Sequence, residues 1–248
     1  MKYGVQLFSV RDAVKKDLNE ALAAVARCGY ENVELYGGEF ATLDLEGARA
    51  VKAALKNNGL TVSGMHTNLT VLREHLDDAA EVIRYLGSNR LILAWSDPKT
   101  EAEAEALVKD LEQWRFRLME KGVKLGYHNH AQEFAPIEGG RSLMDYIIEE
   151  TQVFLEIDTY WVYAAGEDPL KWMRRCFAES RLPVIHIKDG LADGAGKPLG
   201  LGTAPWRDVW ACAKELGVDM VVESETQDPS GEEEIRVCMK ALKELEGK

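Results

Sequence analysis

Imidazoles and carboxylates recur along this chain at the ends of short apolar runs. Gln6 closes Gly4-Val5-Gln6, Glu34 sits in Val33-Glu34-Leu35, and His66 in Gly64-Met65-His66-Thr67-Asn68. Gly126-Tyr127-His128-Asn129-His130 carries two histidines, with Glu133 close behind. Glu156 and Asp158 flank Ile157, His186 and Lys188 flank Ile187, and Glu223 and Glu225 flank Ser224. In nearly every run one parity is polar, and the other (Val5, Leu35, Tyr127, Ile157, Ile187, Val222) is apolar. On a strand, such alternation sends one set to each face. Imidazole nitrogens and carboxylate oxygens ligate divalent ions, and they carry protons near neutral pH. Four of the five histidines belong to the polar set, His75 being the exception.

The apolar runs predict strands over residues 3–7, 32–35, 60–65, 90–93, 123–127, 153–157, 184–187 and 218–222. Each precedes a helical pattern, over 12–28, 45–58, 71–86, 101–121, 142–149, 169–178, 206–216 and 232–245. Strict alternation of strand and helix indicates βαβ units and a parallel sheet. Eight units share 248 residues, about 31 each, which is the size of a (β/α)8 barrel and leaves no remainder for a second domain. The expected architecture is therefore α/β, a single TIM barrel domain over residues 1–248 with its active site at the C-terminal ends of the strands. Gly29, Gly59, Gly87, Gly122 and Gly217 each follow a helical run, where a left-handed residue closes the helix before the next strand.

Composition narrows the function classes. Hydrophobic residues make up 46% and charged residues 29%, as in ordinary globular proteins and unlike disordered or collagen-like chains. Thirty basic against 42 acidic side chains give a net charge of −12, which argues against nucleic acid as a partner because phosphate neutralisation needs clustered Lys and Arg. Cys28, Cys176, Cys212 and Cys238 stand far apart on predicted helices and form no C-x-x-C pair. They read as structural thiols of a reducing compartment. The opening MKYGVQLFSV has no cationic flank before a long apolar core, so no signal peptide and no membrane association are expected, and the protein is expected in the cytoplasm.

Charges facing inward at one rim of a closed barrel are costly unless something pairs them. A cation with mixed ligands would do so, and the fifth to eighth strands offer His128, Asp158, His186 and Glu223. Two nitrogens and two oxygens suit Mn2+, Co2+, Fe2+, Zn2+ or Mg2+ better than Ca2+. On the fifth strand His128, His130 and Glu133 compete for the ligand position.

With these residues in place the chain resembles the xylose isomerase-like TIM barrels, the sugar phosphate isomerases and epimerases that also include tagatose/psicose 3-epimerases, inosose dehydratases and apurinic endonucleases. The resemblance runs through GVQLFSVRD, NVELYGG, GMHTN, GYHNHAQEF, EIDTYWVYAAGEDP, HIKDG, PLGLGTAPW and VVESE, and so covers nearly the whole chain. In the epimerase branch the metal is held by Glu, Asp, His and Glu. The resemblance assigns the last three to Asp158, His186 and Glu223. The first departs, since His128-Asn129-His130 stands where epimerases carry the ligand glutamate that pairs with the last one in proton exchange.

The implied activity is a metal-dependent isomerase or epimerase of a sugar or sugar phosphate, removing a proton next to a carbonyl through a metal-stabilised enediolate. Glu223 and His130 are the expected acid–base groups, and Lys188 the neutraliser of an oxyanion. Glu34, His66, Glu133 and Trp161 are expected to bind substrate. An imidazole in the pair predicts activity that falls as pH drops through roughly 6 to 7. The glycine-rich stretch 194–202 reads either as a phosphate cradle or as a lid. The alternative is a lyase, dehydratase or hydrolase acting on an inosose or 3-keto-sugar with the same metal site. An endonuclease is disfavoured by the charge of −12 and the five histidines, and a non-catalytic sugar-binding barrel by idle acid–base groups. The expected partner is a small-molecule sugar. Trp95, Trp114 and Trp206, read as lying on outer elements, raise a homodimer.

Overall fold

The computed structural model describes residues 3–247. Eight parallel strands close into a barrel: β1 Tyr3–Gln6, β2 Asn32–Leu35, β3 Thr61–Thr67, β4 Arg90–Leu93, β5 Lys124–His128, β6 Phe154–Asp158, β7 Val184–Ile187 and, after a short ribbon of β8 Asp189–Gly190 and β9 Gly196–Lys197, β10 Asp219–Val222. β10 pairs with β1 to shut the cylinder. The helices are α1 Arg11–Lys16, α2 Leu18–Cys28, α3 Leu45–Asn57, α4 Leu69–Glu74, α5 Leu76–Leu86, α6 Glu101–Glu120, α7 Leu143–Glu150, α8 Thr159–Ala164, α9 Pro169–Ala178, α10 Trp206–Leu216 and α11 Gly231–Leu245. Among the described residues no helix is long and apolar enough to cross a membrane.

Two helices expected as continuous are broken, and both breaks have local causes. Asp17 turns extended and accepts from the N–H of Glu20, so α2 restarts with its own cap. His75 leaves helical geometry between α4 and α5 without a side-chain cap. The five loop glycines all have positive φ, from 68° at Gly59 to 101° at Gly87, which closes their helices before the next strand.

The barrel interior is layered. Outward residues such as Val5, Leu35 and Ile157 join the main core under the helices. Inside, Ile92, Phe154, Val184 and Val221 form a separate apolar plug. Gly126 makes room for it, since a Cβ there would lie 2.4 Å from the Phe154 ring. A register shift after Val33 on the β2–β3 pair aligns Glu34 with Gly64, and it sets the inward parity that carries His66 above the plug. Below the plug lie Arg90 and Asp219, and above it stand the polar groups.

Candidate active site

The first polar layer is a closed network. Gln6 donates from Nε2 to Glu34 Oε2 at 2.9 Å. The same oxygen lies 2.7 Å from His186 Nε2 and 3.0 Å from His66 Nε2. Glu156 Oε2 lies 2.7 Å from His66 Nε2 and 3.2 Å from His128 Nδ1. All of these side chains are buried. Burial works against protonated His66, but Glu34 and Glu156 overcome it and raise the imidazole to about 9. Burial likewise opposes ionised Glu156, yet His186 and His66 hold it near 2. His186 is held well above its ordinary value by Glu156 and Glu34 against burial. His128 is driven well below, first by burial and then by its histidine neighbours. The carboxylates and the imidazoles of His66 and His186 thus favour one another's charged forms at this depth.

Above this layer His128, Asp158, His186 and Glu223 converge, with one potential ligand atom from each lying within 4.8 Å of the others. The local sequence fixes them. Asn129 donates from Nδ2 to the Asp158 carbonyl at 3.2 Å, and its Oδ1 accepts from the Asp158 N–H at 3.1 Å. This side-chain amide extends the β5–β6 ladder and holds His128 beside Asp158. Asp158 Oδ1 caps α8 by accepting from the N–H groups of Tyr160 and Trp161 at 2.9 Å. Its other oxygen, Oδ2, is buried with no hydrogen-bond partner, as is Glu156 Oε1. Burial pushes the Asp158 carboxyl up to about 7 despite Lys188. Unpartnered buried carboxylate oxygens call for a ligand, and two imidazoles with two carboxylates form a donor set for a divalent ion. The cluster could hold a metal ion. His66, His128, Glu156 and His186 form a second, deeper group of the same kind, and it lies where the hydrogen bonds of the first layer orient His128 and His186. That is the outer-shell support that ligating histidines normally have.

His130 lies past the end of β5, at the cleft, and its position is set from behind. Its backbone N–H donates to Glu133 Oε2 at 2.8 Å, and Tyr127 Oη donates to Glu133 Oε1 at 3.1 Å. Its ring packs against Trp95, His128 and Trp161, with centroids 5.0, 5.0 and 5.7 Å away. Nδ1 is buried and unpartnered. Burial lowers this imidazole to about 4, with Glu223 opposing and Lys188 adding to the fall. The loss of activity expected between pH 6 and 7 therefore does not follow from His130, which stays neutral across that window.

Lys188 is buried, 2.6 Å from Glu225 and 3.5 Å from Glu223, with its ammonium 4.8 Å from the Trp161 ring centroid. It is held charged by Glu223, Asp158 and Glu225 against burial. Burial also works against ionised Glu223, but Lys188 and His186 keep the carboxyl well below its ordinary value.

Of the residues expected to bind substrate, His66 lines the cleft, and Trp161 is half-buried at the start of α8. Glu34 lies lower, with one oxygen shared among Gln6, His66 and His186. Glu133 faces Tyr127 and the His130 backbone. Sequence reasoning missed the cleft walls Phe8, Tyr36 and Trp95. It also missed Asp189, whose carboxylate binds four backbone N–H groups. The only signal for Asp189 was an acid directly before a glycine-rich loop. Trp114 and Trp206 are buried in the core, so they form no outer aromatic patch.

Residues 22–245 match a family model described as xylose isomerase-like TIM barrel. Among solved structures, a sugar phosphate isomerase/epimerase from Parabacteroides distasonis ATCC 8503 is 23% identical, with a TM-score of 0.84 over 98% of each chain. A 3-keto-D-glucoside 4-epimerase from E. coli is 14% identical, with a TM-score of 0.73 over 100% of both chains. A xylose isomerase-like TIM barrel protein from Mycobacterium smegmatis, in complex with magnesium, is 14% identical, with a TM-score of 0.71 over 98% of this chain and 95% of that one. A comparison with curated proteins gives no match. At these identities the structural likeness is one of fold.

Proposed function

The chain belongs to the xylose isomerase-like TIM barrel family, and on that premise we propose that it is a divalent-metal-dependent isomerase or epimerase of a keto-sugar. One observation carries this reading. His128, Asp158, His186 and Glu223 bring ligand atoms within 4.8 Å of one another, and Asp158 keeps an unpartnered oxygen. These four residues would hold the ion. A bound divalent ion supplies Lewis acidity toward a carbonyl oxygen and its neighbouring hydroxyl.

The chain's own groups handle the proton. Glu223 is held ionised by the Lys188 ammonium, so its carboxylate is available to accept a proton from the carbon beside the carbonyl. His130 presents a neutral imidazole in the same cleft, and it returns or removes a proton at the other reacting position. Lys188 stays an ammonium and offsets negative charge developing on a substrate oxygen. It does not itself exchange a proton near neutrality. His66 borders the cleft floor and donates to a substrate hydroxyl, while Glu34 and Glu156 fix the rings of His66, His128 and His186.

The test is incubation of the metal-loaded protein in D2O with a panel of keto-sugars and an inosose. Deuterium at a carbon next to the carbonyl, with the skeleton retained, is the expected result. A dehydrated product would assign a lyase instead, and no exchange with any member of the panel would overturn the reading.

A further inference from the structure

The outer part of the cleft constrains what the far end of the substrate can be. In (β/α)8 barrels a phosphate commonly binds at the loops after the seventh and eighth strands, on backbone N–H groups and a helix N-terminus. Here those groups are engaged by the protein's own acids. The buried carboxylate of Asp189 accepts from the N–H groups of Gly190, Gly200, Gly202 and Ala204 at 2.8, 2.9, 3.0 and 3.1 Å. The approach is so close that a Cβ on residue 202 would lie 2.3 Å from Asp189 Oδ1. An internal anion therefore sits on the amides that a phosphate would need. The helix after β10 opens with Glu232, Glu233 and Glu234, which repel an anion from its N-terminus.

Three cations near the mouth have partners of their own, Lys15 only a loose one. Lys188 pairs with Glu225 and Glu223, and Lys15 lies 3.8 Å from Glu39. Arg11 donates to the carbonyls of Phe8 and Glu225. A phosphorylated substrate would bring a dianion to a mouth lined by Glu39, Glu223 and Glu225 against one lysine, Lys15.

The walls are apolar instead. The cleft holds about 590 Å³, and its lining includes Phe8, Tyr36 and Trp95. Phe8 packs edge-on against Tyr36, with centroids 5.6 Å apart. Trp95 packs edge-on against His130 while 54% of its surface stays exposed. An exposed indole at the lip of a cleft this size is a platform for an apolar ligand face.

We infer that the substrate is an uncharged sugar whose far end carries an apolar group, a glycoside with an apolar aglycone lying on Trp95, and that phosphorylated sugars are rejected. This inference rests on the isomerase or epimerase reading of the cleft floor. The test supplies the metal-loaded enzyme in D2O with free keto-hexoses, their phosphate esters, and methyl and phenyl hexosides that carry a ketone on a ring carbon other than the anomeric one, so that the carbonyl survives glycosylation. Binding is followed separately by saturation-transfer NMR and by quenching of tryptophan fluorescence. The expected result is exchange at least about tenfold more efficient with the phenyl glycoside than with the phosphate ester. Trp95→Ala should raise KM about tenfold for the phenyl glycoside and little for the methyl glycoside, with metal content unchanged. Preference for the phosphate ester overturns the inference and leaves the proposed reaction standing. Equal loss for both glycosides in Trp95→Ala overturns the platform. If nothing exchanges, the reaction reading fails and binding alone decides: phenyl glycoside bound more tightly than phosphate ester supports the inference, and the reverse order overturns it.

Discussion

The two ends of the barrel are built from the same strands and differ in how their polar groups are satisfied. At the N-terminal end Arg90 donates through both terminal nitrogens to Asp219 Oδ2 at 2.9 Å, and Ser88 donates to the Ser63 carbonyl. At the C-terminal end stand all eight buried side-chain atoms that lack a hydrogen-bond partner among the described residues. They belong to Tyr36, Thr67, His130, Glu156, Asp158, Trp161, Ser224 and Glu234. Each such atom costs about 1–3 kcal/mol if nothing meets it. Two of them, on Tyr36 and His130, belong to residues that line the cleft, and a third, on Asp158, belongs to the ligand cluster. Between the ends the apolar plug of Ile92, Phe154, Val184 and Val221 separates the two regimes.

The largest effect should come from removing the clearest orphan. Asp158→Ala should abolish stoichiometric divalent metal uptake in elemental analysis, and proton exchange with it. Asp158→Asn keeps the cap on α8 and should lose the metal equally. If Asn retains full metal, the ligand set is wrong. Next comes His130→Gln, expected to lower kcat by about 10²–10⁴ with metal content nearly unchanged. Because His130 sits at about 4, the wild-type profile should show no fall from this group between pH 6 and 7. A His130→Gln enzyme of normal turnover would make the ring a wall of the cleft and not a proton carrier.

Much of this contrast was legible in the sequence. Strict alternation of apolar and amphipathic runs gave eight strands, and inward parity brought out a polar set that includes His128, Asp158, His186 and Glu223, while leaving His128, His130 and Glu133 competing for the fifth-strand position. Parity works because a strand's side chains have only two directions. It stops working where the strand stops. His130 keeps the parity of His128, yet it lies beyond β5, and the Tyr127–Glu133 pair on the other face decides its place. Parity also cannot assign depth. Glu34 and Glu225 have the same inward sense, but one lies within the first layer and the other at the mouth. Asp189 was invisible because three of its four partners are backbone amides 11 to 15 residues away, which no side-chain pattern encodes.

A smaller effect concerns stability without metal. The Asp158 carboxyl is raised from 3.8 to about 7 by burial, and His66 from 6.5 to about 9 by Glu34 and Glu156 against burial. Both groups bind their proton more tightly when folded. The contribution of Asp158 is complete below about pH 4 and is lost as pH rises through about 7. That of His66 is complete below about 6.5 and is lost through about 9. Metal-free protein should therefore lose Tm from about pH 6.5 to about 9, whereas below about pH 6.5 the lowered imidazoles of His128 and His130 work the other way and oppose Asp158. Asp158→Asn should flatten the lower part of that slope and raise Tm at pH 8, by about 2–4 °C for each kcal/mol recovered. Metal should protect most at the alkaline end, where its ligands are already deprotonated. A metal-free Tm that rises from about pH 6.5 to about 9 would show that the upper layers are not protonated as described.

The smallest effect belongs to the other end, and it sharpens the comparison because it should be nearly nothing. Arg90 and Asp219 face each other below the plug with side chains 22% and 65% exposed. Water screens such a pair, and fixing two side chains costs entropy, so it contributes about 0.2–1 kcal/mol. A double-mutant cycle with Arg90→Ala and Asp219→Ala should return a coupling in that range and weaken further in salt. Metal content, exchange rate and their pH dependence should not move, since Ile92, Phe154, Val184 and Val221 stand between this pair and the first polar layer. If removing the pair altered metal affinity, the plug would be transmitting strain from one mouth to the other. The charges at the C-terminal end would then have to be explained by the whole barrel and not by the ligand they face.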